Sequence, residues 1–173
     1  ASGSFFKVEG GDKIRFGLLA IKNVGKGAVE SIIAARNDGP FTSLEDLCAR
    51  VDLRLANRKV LESMIKCGVM DCFGAHRSSL FTSIEGVLER SSRLQKDRAS
   101  GQLSFFDSFA QSAKDNGSPA AAGPEMKEWP ESQLLAFEQE LLGFYISGHP
   151  LTRYAAQLKR CSSSPTNDLK RLK

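Results

Sequence analysis

Two short stretches carry residues whose types and spacing point to chemistry, and in both the chemistry is binding. The first is Lys22-Asn-Val-Gly-Lys-Gly27. Gly25 has no Cβ, and Asn23 is the kind of non-glycine residue that best tolerates a left-handed backbone. A tight turn running straight into a helix leaves the first helical amides without intrahelical partners. Bare glycine backbone and the helix dipole then favour a closely approaching anion, and Lys22 and Lys26 add positive charge on either side. The anion that fits is a nucleic-acid phosphate. Nothing in the stretch reads a base edge, so the expected binding is independent of sequence and weakened by salt. Val24 is expected to plug the groove between flanking helices. The competing reading is a helical hairpin used for internal contacts only.

The second stretch is Gln102-Leu-Ser-Phe-Phe106. Its two phenylalanines stand between a charged run (residues 90–100) and one rich in Ser, Ala, Gly and Pro (108–124), which is a poor setting for the chain's own core. Gln102 offers amide donors and an acceptor that can pin an extended peptide to a surface. Leu103 is a secondary apolar contact beside Ser104, and Phe105 and Phe106 are the anchors. Burying each ring contributes about 1.5–3 kcal/mol before ordering costs. Two such anchors give roughly micromolar binding at best, on the order of 8 kcal/mol. The competing reading is contact with the chain's own long helix.

The rest of the chain must position these stretches. Its 173 residues are 41% hydrophobic, enough for a packed core plus a solvated linker. No run approaches the ~18 apolar residues of a membrane span and no signal peptide is legible, so a cytoplasmic protein is expected. Cys48, Cys67, Cys72 and Cys161 form no C-x-x-C pair, and only His76 and His149 could assist them. The cysteines therefore read as reduced core residues; no metal, cofactor or catalytic residue is expected. Lys and Arg outnumber Asp and Glu 16 to 12 in residues 1–100 and 6 to 1 in residues 150–173; the balance reverses, 2 to 7, in residues 101–149. A basic first part suits a nucleic-acid surface, and ordinary solvated helix faces suit it equally well.

Periodicity predicts an all-α fold. Residues 14–21 are expected to be the first helix of the hairpin and residues 28–36 the second, with Val29, Ile32 and Ile33 on its apolar face. Ser43-Leu-Glu-Asp46 starts a short helix bearing Leu44, Leu47 and Cys48. Asn57 caps a further helix carrying Val60, Leu61, Met64 and Ile65, and Gly68 stops it. These last two form a second helix pair without the glycine turn, in which Arg54, Arg58 and Lys59 read as solvated charges. A long helix follows from His76 to about Arg98, buried along Leu80, Ile84, Val87, Leu88 and Ser91. Order returns at Trp129-Pro130, before a helix over residues 131–142 with Leu134, Phe137 and Leu141 on one face. His149 reads as a hydrogen-bonded turn residue.

Ile14-Arg-Phe-Gly-Leu-Leu-Ala-Ile-Lys-Asn-Val-Gly25 is followed in order by Phe41-Thr-Ser-Leu-Glu-Asp46 and Asn57-Arg-Lys-Val-Leu-Glu62. Then come Gly101-Gln-Leu-Ser-Phe-Phe-Asp107, Glu128-Trp-Pro130 and Leu142-Gly-Phe-Tyr-Ile-Ser-Gly-His-Pro-Leu151. This order, over residues 14–160, closely resembles the C-terminal part of the bacterial C-family replicative polymerase, the DNA polymerase III α subunit. The resemblance implies a tandem helix–hairpin–helix module with a following long helix, an extended clamp-binding peptide and a short C-terminal helical segment. It implies a non-catalytic piece of a DNA-directed DNA polymerase (a nucleotidyltransferase). That piece would contact duplex DNA through Lys22, Asn23, Val24, Gly25, Lys26 and Gly27. Gln102, Leu103, Ser104, Phe105 and Phe106 would dock on the sliding clamp (the β subunit), and the remainder of the polymerase holoenzyme would be a further partner.

The corresponding layout is a flexible lead-in over 1–13, the module over 14–100, the clamp motif over 101–107 and a flexible linker over 108–127. A helical segment over 128–160, leading towards an oligonucleotide-binding-fold domain, and a tail over 161–173 complete it. Asn23 stands where the family commonly has glycine, and Phe105 where Leu or Met is frequent. A structural scaffold without DNA binding is the alternative. Asp38 lies roughly where helix–hairpin–helix glycosylases keep a catalytic Asp, but Asp38-Gly-Pro40 reads as a turn.

Overall fold

The structure, a computed structural model, describes residues 2–11, 13–99 and 126–161. Among these residues there are six α-helices and one two-stranded ribbon. The ribbon pairs β1 (Lys7–Glu9) with β2 (Lys13–Arg15) in antiparallel register, Val8 opposite Ile14. Residues 14–21 therefore do not form the expected first helix. They are β2 and then a single 3₁₀ turn, Leu18–Ala20. The ladder commits the chain as far as Arg15, and the amides of Leu18 and Leu19 donate to the carbonyls of Gly3 and Ser4 at 2.9 and 3.1 Å. That backbone-to-backbone approach needs a glycine: a Cβ on Gly17 would lie 2.5 Å from the Phe5 carbonyl carbon. Only one tight turn fits before Asn23 reverses the chain.

The helices begin and end on local signals. α1 (Lys26–Arg36) buries Ala28, Val29, Ile32 and Ala35 on one stripe. Arg50 closes its C-terminus, donating to the carbonyl of Ala35 in the last turn and, at 2.8 Å, to that of Gly39 just beyond the helix, while its guanidinium lies 4.6 Å from the Phe41 ring. α2 (Leu44–Arg50) starts at Ser43, whose Oγ accepts the Asp46 amide at 3.1 Å. The reciprocal half of a capping box is displaced by one residue: Asp46 accepts the amide of Thr42, at 3.0 Å. α3 (Arg58–Lys66) is capped by Asn57 and stopped at Gly68, where φ is +83°.

α4 (Arg77–Ala99) packs against both α2 and α3 through Leu80, Ile84 and Val87. Its Gln95 amide donates to the carbonyls of Cys48 and Val51, both at 3.0 Å, closing the C-terminus of α2. α5 (Glu131–Leu142) follows, and its buried stripe is Leu135, Glu138 and Leu141, with Leu134 and Phe137 only half-buried. The expected stripe is rotated because the interior position is filled by a carboxylate. Phe137 instead joins a row of edge-to-face rings with Trp129 and Phe81, at 5.0 and 5.5 Å, and the Lys66 ammonium lies 5.0 Å from both phenylalanines. α6 (Ala155–Cys161) is exposed along its length.

One apolar cluster joins Leu18, Ile21 and Val24 to α1–α4 and to Leu141 of α5. Cys48 and Cys67 belong to it, and burial pushes their thiols up to about 12 and about 11. Cys72 and Cys161 are exposed, so the expectation that all four cysteines are core residues fails for these two.

Candidate nucleic-acid interface

The turn at residues 21–25 is held from three sides. Asn23 has φ 68°, the only left-handed non-glycine residue among those described, and its Nδ2 donates to Ser63 Oγ of α3 at 3.2 Å. The Lys22 amide donates to the Leu141 carbonyl at the end of α5, at 2.9 Å. Val24 is buried in the core, as its place between the flanking segments predicts. An asparagine thus does here what a glycine could do, and adds a tether that glycine lacks.

Gly25 is the N-cap of α1, with φ −80° and ψ 161°. Any residue could adopt that conformation, so its glycine matters for space: an added Cβ would meet nothing within 4 Å, and the cap is open to solvent. No side chain caps the helix, no acidic residue stands in its first turn, and the first internal bond is from Val29 to Gly25. The amides of Lys26, Gly27 and Ala28 consequently have no acceptor among the described residues. Lys22 and Lys26 are exposed on either side; Lys26 approaches Glu30 at 3.6 Å, with both side chains largely in solvent. A Cβ on Gly27 would sit 3.3 Å from Leu55 Cδ2, so the α2–α3 connection borders the same helix end. Three open amides at the positive end of a helix, between two ammonium groups, have the chemistry to receive an anion.

The second hairpin is different. Asn57 Oδ1 accepts the Val60 amide at 3.2 Å, so one of the first amides of α3 is already satisfied. Arg54 forms two side-chain bonds to Asp52, at 3.2 and 3.0 Å, and holds that carboxyl below its usual range. Arg58 bonds Glu62 at 2.8 Å and approaches Glu85 at 3.7 Å. These cations are paired within the chain, in keeping with solvated faces. Gln102, Leu103, Ser104, Phe105 and Phe106 lie outside the described residues. Asp38 sits in an exposed turn with Gly39 at φ 117°, and His149 Nδ1 accepts the Leu151 amide at 3.2 Å. Among the described residues, no group of three His, Cys, Asp or Glu could hold a metal ion, and no helix is long and apolar enough to cross a membrane.

Sequence periodicity missed a polar cluster centred on the buried Arg77 and Glu138. Arg77 donates to both oxygens of Asp71 (2.8 and 2.6 Å), to Glu138 (3.1 Å), to the Lys66 carbonyl (3.1 Å) and to Ser147 Oγ (3.2 Å). Glu138, fully buried, also accepts the amides of Ile146 (2.7 Å) and Ser147 (3.0 Å) and the Ser147 hydroxyl. Burial alone would raise its pKa; Ser147, Ile146 and Arg77 outweigh that and hold the carboxyl below its ordinary value. Glu128 similarly accepts the amides of Arg77 (2.6 Å), Ser78 (3.1 Å) and Trp129 (2.8 Å), which keep it low against its partial burial. The available signal was an acid on the apolar face of α5 together with an arginine opening a long helix.

A helical core carrying a tight turn that opens onto an uncapped helix N-terminus defines a helix–hairpin–helix protein. Residues 1–80 match the family described as "Helix-hairpin-helix motif". The chain is 40% identical over 165 residues to "DNA polymerase III subunit alpha" of Haemophilus influenzae, covering 95% of this chain and 14% of that protein. It is 40% identical over 157 residues to the Escherichia coli subunit (90% and 13%) and 35% identical over 170 residues to that of Campylobacter jejuni (98% and 14%). The chain belongs to the DNA polymerase III subunit alpha family and corresponds to a segment of it, spanning about 14% of the length of these relatives.

Proposed function

We propose that this chain is a DNA-holding segment of a bacterial replicative polymerase, acting in the cytoplasm without catalytic residues of its own. Lys22, Asn23, Val24, Gly25, Lys26 and Gly27 present the open amides of α1 to a backbone phosphate of duplex DNA, independent of base sequence. Gln102 to Phe106 dock on the sliding clamp, so that two weak contacts, one to template and one to ring, act together through effective concentration. The layout follows: a DNA-facing module over 14–100, a clamp peptide over 101–107, and a helical segment over 128–160 joining the rest of the holoenzyme.

The observation that carries the DNA reading is the run of three amides without acceptors on α1, flanked by exposed Lys22 and Lys26. The test is duplex affinity against salt for the parent chain and a Lys22→Glu, Lys26→Glu variant. The variant should bind more weakly and lose about one unit of salt slope for each lysine that contacts a phosphate. A parent chain with no salt-dependent binding would favour the alternative, a scaffold without DNA contact, which the internally paired Arg54 and Arg58 support. For the clamp, a Gln102→Ala, Phe105→Ala, Phe106→Ala variant should lose co-elution with a bacterial sliding clamp; undiminished co-elution removes that assignment.

A further inference from the structure

The two-stranded ribbon is amphipathic in a strict sense. Alternation along β1 and β2, in the register Val8 opposite Ile14, places Phe6, Val8, Ile14 and Phe16 on one face. Lys7, Glu9, Lys13 and Arg15 stand on the other, where Arg15 grips Glu9 with bonds of 2.7 and 2.6 Å. Half-buried sheets elsewhere show this pattern, apolar inward and charged outward. Here the apolar face is open: Phe6 is 56% exposed, Val8 64% and Ile14 73%. The face continues onto the chain after α5, since Phe16 stacks edge-on between Phe6 (4.6 Å) and Phe144 (5.0 Å), and Phe144 and Ile146 are themselves exposed.

An isolated two-stranded ribbon is marginal in water and gains stability from a covered apolar face. Contiguous apolar surface of this kind marks an interaction site. We infer that this face, Phe6, Val8, Ile14 and Phe16 with Phe144 and Ile146, is an interdomain docking surface for another domain of a longer α polypeptide. The inference rests on membership of a family whose compared members are some seven times longer than the matched segment (14% of their length), and does not depend on the phosphate reading. A patch built from six large apolar side chains suits an interface between domains of one chain, which buries about 600–1,500 Å². The charged face, with its internal Arg15–Glu9 pair, remains outward.

The experiment compares amide exchange of residues 5–16 in the chain alone with exchange in a full-length α polypeptide carrying this chain as its corresponding segment. Docking predicts exchange about tenfold slower or more in the longer polypeptide. A Phe6→Ser, Val8→Thr, Ile14→Thr variant should return that exchange to the rate of the same variant in the chain alone and lower the melting temperature of the longer polypeptide by more than it lowers that of the chain alone, where only the Phe6–Phe16 contact and the ribbon pairing are lost. Equal exchange in the two settings overturns the inference. So does protection in the chain alone that grows with its concentration, because the occupant is then a second copy of the chain.

Discussion

Glu128 caps the N-terminus of α4 from outside the helix: its Oε2 accepts the amide of Arg77 at 2.6 Å, and its Oε1 the amide of Ser78 at 3.1 Å. A carboxylate at the positive end of a helix is doubly favoured, by hydrogen bonding and by the dipole. Glu128→Ala should therefore destabilise the chain by about 0.5–2 kcal/mol, read as a lower midpoint in urea with little change in slope.

Arg77 is the heaviest single point of the polar cluster. Arg77→Ala leaves Glu138 fully buried with its countercharge gone, and should cost about 3–5 kcal/mol. Equilibrium unfolding measures this; a loss below about 1 kcal/mol would mean that the Ser147 and Ile146 donors suffice for Glu138.

Acid should weaken the same cluster. Glu128 and Glu138 are held below their ordinary value of 4.5 in the fold, so the folded chain favours their charged forms. Their contribution is complete above the unfolded value and is lost as pH falls through the lower folded values. Stability should thus drop below about pH 4.5, and Glu138→Gln should flatten that drop, as urea midpoints against pH would show.

Asn23 separates backbone from side-chain effects. Asn23→Gly keeps the left-handed turn, loses only the Ser63 bond, and should stay within about 1 kcal/mol of the parent. Asn23→Ala adds the left-handed cost of roughly 1–2 kcal/mol. Thermal unfolding of the two variants should rank them in that order; the reverse ranking would overturn the left-handed backbone cost at this position.

Thiol reactivity should divide by burial. Cys72 and Cys161 are exposed, whereas burial raises the Cys48 and Cys67 thiols to about 12 and about 11. Native alkylation at neutral pH should modify the first two and spare the second, as peptide mass mapping would report, with all four reacting once the chain is unfolded.

What could be read from the sequence was whatever depends on near neighbours. Ser43, Asn57 and Gly68 mark helix ends through bonds to residues three or four positions away, and Asn23 announces its own backbone geometry. The stripe along α4 follows from spacing alone. The misses involve distant partners. Residues 14–21 look helical until Lys7–Glu9 pairs with Lys13–Arg15 and Phe5 presses on Gly17. The buried face of α5 cannot be read from apolar periodicity, because its central member is Glu138, made tolerable by an arginine from another helix. The openness of the α1 N-terminus was legible, whereas its tether to α5 was not.

That tether joins the amide of Lys22 to the carbonyl of Leu141, near opposite ends of the described sequence. Contacts between residues so far apart form late, because the loop they close is long. On a ribosome the polypeptide grows from its N-terminus, so the turn at Asn23 is made before α5 and waits for it to be synthesised. The turn that opens onto α1 is thus made before the element that locks it in place.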